Sequence, residues 1–315
     1  MTERTAESVE RALHEASARG DAAIAAVRPV LRHFLAGTDT ELLSDEVVAR
    51  VRGMIWHLSE QLLFVQATAA EMQDVEAYIE ARQEALAQAL FENADLLAHA
   101  HGLAIEAELA DRVQRRAGID TVLTPLVQDL AASDDPDIAG LAMAVIAAQA
   151  RFQQQQRRME LPLKELPGHI LHAALLVLRA EARDDDVKAS EVAERKLRVD
   201  YDESAGRLGL LARLVLSLGT DTAPTLRLAH AGLAIFATAL SLALQQDRCL
   251  VLLSLAESQG ARFALSLRAV GLDHRAIAEQ ALSLHPDRPP LEGLDLIAPE
   301  RAADLLQSSR REWVA

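Results

Sequence analysis

The chain has 315 residues, half of them apolar and a quarter charged, and its 47 acidic against 32 basic side chains give a net charge of −15. That length suggests one large or two medium domains. An anionic surface repels phosphate backbones and anionic headgroups, which argues against nucleic acid or a membrane surface as the main partner.

Aromatics make up 3%, with 14 glycines and 10 prolines, while alanine, leucine, arginine, glutamate and glutamine dominate. These residues lose little rotamer freedom in a helix, and the β-branched and aromatic runs of strands are missing. The composition predicts an all-α chain, an irregular helical bundle or an α-solenoid-like stack of helical hairpins. Among the basic residues only Lys164, Lys188 and Lys196 are lysine, a skew that reads as a GC-rich bacterial genome. The lone Cys249 sits in an apolar run and cannot form an internal disulfide or a cysteine metal site; it is expected as a small buried hydrophobe. The polar, mixed-charge N-terminus does not read as a signal peptide, so the expected compartment is cytoplasmic.

In chain order, residues 3–19 form a first helix ending near Gly20, and Asp21 starts a second that passes Pro29 and ends at Gly37. Ser44-Asp-Glu supplies a cap and acids for the next start. From there to Arg116 no proline intervenes, so two or three long helices are expected, breaking near Ala67–Gln73 and Ala98–Gly102 and closed by Gly118. Residues 119–133 read as a helix, Asp134-Asp-Pro-Asp as a turn, and Ile138 to Met159 as a second helix. Residues 161–172 hold two prolines, and the charged stretch Arg179 to Glu203 reads as a solvated arm or hinge between halves 1–160 and 161–315. The apolar stretch Leu226–Leu244 contains Arg227 and His230 and falls short of the ~20 apolar residues that cross a bilayer, so it predicts a central buried helix. The Pro-rich tail near 286–299 cannot be helical, and a short helix follows from Pro299.

Pro136 and Pro224 are 88 residues apart, and in that register Leu210, Leu214, Leu218 and Leu226 match Val122, Leu126, Leu130 and Ile138. Both copies (119–159 and 207–246) place a leucine-rich helix, an Asp/Pro turn and an alanine-rich helix in succession. In this the chain resembles HEAT-type helical repeats, whose units span about 44 residues. The resemblance implies stacked hairpins and a surface for protein partners. The chain between the copies departs from the pattern.

Four groups invite a chemical reading. Glu92, Asp95, His99, Gly102 and Glu106 share one helix face, but no Glu-x-x-His pair of the di-metal bundles occurs, so a solvated or locally paired face is expected. Glu165, His169 and His172 lie at i, i+4 and i+7 and are weak metal candidates, since their positions along the axis do not converge on one tetrahedral point. Asp184-Asp-Asp and Asp134-Asp-Pro-Asp lack the final aspartate of a magnesium motif and read as turn and cap residues. No phosphate loop, Gly-x-Ser-x-Gly elbow or His-Glu-x-x-His motif is present, and no motif implies a cofactor. The sequence therefore predicts a non-enzymatic protein-interaction, scaffold or regulatory protein that acts through a helical surface. Its contact candidates are Trp56, Phe64, Tyr78, Leu161, Leu163 and Leu166, and helix packing makes a homodimer plausible. The alternative is an all-α enzyme or small-ligand or metal binder with a pocket near His169, His172 and Asp184–Asp186.

Overall fold

The computed structural model describes residues 2–33, 41–183, 186–219, 223–287, 291 and 293–314. Within them lie fifteen α-helices and no strand, the all-α architecture expected from the composition. The first helix, α1 (Thr2–His33), runs straight through Gly20. The expected break is absent because Gly20 has a packing role: a Cβ there would overlap Gln259 Oε1, so glycine allows the 257–259 turn to close on the helix. The expected end at Gly37 lies outside the described residues.

Ser44 caps α2 (Asp45–Ala69), its side chain accepting from Val47 N, and Asp45 and Glu46 occupy the positive first turn. Ser44→Ala is expected to cost about 1 kcal/mol, read as a lowered midpoint with an unchanged slope in urea denaturation. The break after α2 falls where expected, followed by α3 (Val75–Glu80) and α4 (Gln83–Glu92). The next break lies at Asn93, earlier than the expected Ala98–Gly102, because Asn93 accepts from Leu96 N and caps α5 (Ala94–Ala117). Gly118 closes α5.

Residues 119–133 are helical only as α6 (Pro125–Ala131). Asp120 Oδ1 accepts from Val122 N and Leu123 N, 2.7 and 2.6 Å away, and holds a turn instead; Thr124 then caps the helix. The later helices are α7 (Pro136–Arg158), α8 (Gly168–Ala180), α9 (Val187–Val199), α10 (Arg207–Ser217), α11 (Leu228–Leu244), α12 (Arg248–Ser254), α13 (Gly260–Ala269), α14 (His274–Leu284) and α15 (Pro299–Val314).

Two helices form the centre. In α5 every residue from His99 to Ala107 is buried, and in α11 every residue from Ala231 to Leu240. A helix buried on all sides has to be lined by small or apolar groups, which the alanines and glycines of both supply. Gly232, at φ +73°, kinks α11 where it meets Thr124. α5 packs on α2, α4, α8, α11 and α12, and α7 lies between α6 and α10. At the far end, α13 is flanked by α1 and α15. The hydrophobic core runs as one cluster from Leu13 to Leu306.

Among the described residues no single helix is long and apolar enough to cross a membrane. α11 and α12 pass that test only jointly, and they are bent by 114°.

Candidate functional site

A buried charge cluster centres on Glu106 of α5, 1% exposed. Two guanidinium forks close on its carboxylate. Arg207, at the start of α10, places Nη1 at 2.8 Å from Oε1 and Nη2 at 2.7 Å from Oε2. Arg248, at the start of α12, places Nη1 at 2.8 Å from Oε2 and Nη2 at 2.7 Å from Oε1. Further donors also find acceptors: Arg207 Nη1 meets Gln149 Oε1 at 2.8 Å, and Arg248 Nε meets Thr238 Oγ1 at 3.0 Å. The Arg207 guanidinium stacks 3.6 Å from the centre of the Phe152 ring.

Burial pushes the Glu106 carboxyl up, but the two arginines outweigh it and hold it well below the usual carboxylate range. The void beside it measures about 10 Å³, room for a single water at most. Closed off in this way, the cluster ties α5, α7, α10, α11 and α12 together, and the void beside it is too small for a substrate.

The face containing Glu106 differs from the solvated or locally paired face expected: from His99 inward it is buried, and Glu106 is paired with arginines distant in the chain. His99, buried about two turns before Glu106 on the same helix, has an imidazole pKa pushed down to about 4 by burial and then by Arg207, and its Nε2 makes no hydrogen bond. His101 is buried too, and its Nε2 donates to Leu42 O at 2.7 Å. Cys249 is only partly buried, contrary to expectation, and its Sγ lies against Gly102.

The proline-punctuated segment is an anchored connection. Leu161 N donates to His57 Nδ1 at 3.0 Å, Gln61 Nε2 donates to Leu161 O at 2.8 Å, and Leu163 N donates to Gln61 Oε1 at 3.1 Å. Leu161, Leu163 and Leu166 are buried, so these side chains belong to the core and are not available as a contact face. Glu165 Oε2 accepts from Arg207 N at 2.8 Å, capping the start of α10. His169 and His172 are exposed on α8, and His172 Nδ1 accepts from Arg198 Nη2 at 2.7 Å. No group of three or more His, Cys, Asp or Glu among the described residues is arranged to hold a metal ion. Asp184 and Asp185 lie outside the described residues; Asp186 is buried and pairs with Arg82 at 3.3 Å.

Tyr78 is turned inward, 5% exposed. Its hydroxyl donates to Gln66 Oε1 at 3.0 Å and Arg82 lies 3.9 Å over its ring; burial pushes its pKa up to about 12. Trp56 and Phe64 point outward, at 45% and 55% exposure. They belong to the exposed i, i+4 stripe of α2: Arg52, Trp56, Glu60, Phe64 and Thr68.

Beside that stripe a cleft of about 520 Å³ opens between α2, α3 and the 160–163 connection, with Phe64, Val65, Ile79 and Leu163 as apolar walls and Glu60 and Glu160 as its acids. A second cavity, about 560 Å³, lies between α1, α13 and α14. Sequence reasoning missed it because its walls come from segments more than two hundred residues apart.

No protein-family model, curated protein or solved structure matches this chain.

Proposed function

We propose that the chain is a binding protein whose α2 face captures a protein segment bearing an apolar side chain next to lysine or arginine. The observation that carries this reading is Phe64, a large aromatic 55% exposed at the mouth of a cleft of about 520 Å³. Exposed aromatics beside a concave, partly apolar surface are where partners anchor. The floor of the cleft is rigid, because His57 and Gln61 fix the backbone of Leu161 and Leu163, so little ordering cost falls on binding. Its charge is one-sided. Glu60 and Glu160 line it, α3 alongside exposes Glu76 and Glu80, and no lysine or arginine is among its described lining residues. A basic partner segment fits that field.

The HEAT-like reading of 119–159 and 207–246 belongs to the same proposal. It is supported by the packing of α10 on both α7 and α11 and of α6 on α7.

Affinity capture tests the proposal. Phe64→Glu should abolish retention of the partner, while Leu216→Glu, on exposed α10 surface, should leave it intact. Both variants should unfold within about 0.5 kcal/mol of wild type, since neither site is buried. Capture should weaken as salt rises from low to physiological strength. Equal retention by the two variants would remove the α2 face as the binding surface.

A further inference from the structure

We infer that the cavity between α1, α13 and α14 is a site for a small carboxylic acid with an apolar body, separate from the α2 cleft. Its volume of about 560 Å³ falls within the range of small-molecule pockets, roughly 300–1,000 Å³. Phe263, Ala264, Ile277, Ala281 and Leu294 make most of its wall apolar. Among the described residues the polar lining is Arg19, Ser258, Gln259, His274 and His285, with no aspartate or glutamate in that described set. These described side chains give the cavity hydrogen-bond donors and the positive charge of Arg19.

Gln259 makes the case specific. It is 2% exposed, and neither its Nε2 nor its Oε1 has a hydrogen-bond partner. A buried primary amide without partners is costly, and a bound carboxylate would accept from its Nε2. Gly20 lies against the same amide, which sets Arg19, the next residue of α1, at this edge of the cavity, where its guanidinium supplies a charge-assisted bond. The frame is fixed by the buried ion pair of Asp21 with Arg262, which ties α1 to α13.

The ligand class follows from the two kinds of wall. The carboxylate meets Arg19 and Gln259 Nε2, and a chain or ring fills the space between Phe263 and Ile277.

Calorimetric titration of the full chain with octanoate and with 1-octanol tests this. Octanoate should bind at least about tenfold more tightly than the alcohol, because only the acid engages Arg19. Arg19→Gln, at an exposed position, should weaken octanoate about tenfold and leave octanol unchanged. Ala278→Leu, which fills the cavity, should weaken both ligands. Should that variant fail to fold, Arg19→Gln still decides. Absence of octanoate binding, equal affinity for acid and alcohol, or an unchanged octanoate affinity in Arg19→Gln would each overturn the inference. Phe64→Glu should bind octanoate as wild type does, so this result is independent of the α2 proposal.

Discussion

Glu106→Gln is expected to lower folding stability by about 3–5 kcal/mol, because it leaves two buried guanidiniums without their shared carboxylate. Urea denaturation monitored by circular dichroism would read the loss as a lower midpoint at constant slope. A triple variant with Glu106→Leu, Arg207→Met and Arg248→Met should recover most of it, since exchanging a whole buried ionic cluster for apolar groups of similar volume is often neutral or better. If Glu106→Gln were as stable as wild type, the cluster would not be what ties α5 to α10 and α12. The linkage has a definite sign. The carboxyl is held below its ordinary value of 4.5 in the folded state. Its contribution is therefore complete above about pH 4.5 and lost as the pH falls below that.

A second acid-dependent loss is expected at higher pH, from His99 and His101. Burial lowers both imidazole pKa values from 6.5 to about 4, so between those limits the unfolded chain takes up protons that the folded chain refuses. Stability is complete above pH 6.5 and falls as the pH drops towards 4. At pH 5 the loss is about 2 kcal/mol for each histidine relative to pH 7.5. Urea midpoints at the two pH values would show it, and the His99→Gln, His101→Gln double variant should be nearly insensitive over the same interval. Glu106 has lost little of its contribution at pH 5, so the two effects separate. An identical midpoint for wild type at pH 5 and 7.5 would contradict the burial of these imidazoles in neutral form.

The elements most legible in the sequence were those with local signals. Ser44 before two acids started α2, Gly118 ended α5, and the turn before Pro136 led into α7, all within a residue or two. The alanine-rich Leu226–Leu244 stretch, expected as a central buried helix, forms one over Leu228–Leu244. What failed were readings in which a residue had a distant partner. Gly20 looked like a helix stop but accommodates Gln259 across the fold, and 119–124 looked helical but is held open by the side chain of Asp120. Leu161, Leu163 and Leu166 were contact candidates, yet His57 and Gln61 hold that connection on α2 and the three side chains are buried.

The chemistry was less legible than the fold. Glu106 was visible as one carboxylate on a helix, but Arg207 and Arg248, 101 and 142 residues away, carry no local mark of pairing with it. Trp56 and Phe64 were read from residue type alone, and their outward direction depends on which face of α2 meets α4, α5 and α9. The α1–α13–α14 cavity had no sequence signal, because alanines that line a cavity resemble alanines that fill a helix.

The central claim, that this chain works by holding a basic protein segment at the α2 cleft, is tested most directly by placing a photo-crosslinking residue at position 64 in the cell of origin. One adduct of defined mass is expected there, absent when the same residue stands at position 216, and lost when Glu60 and Glu160 are both changed to lysine. No adduct at position 64, or the same products from both positions, would contradict it.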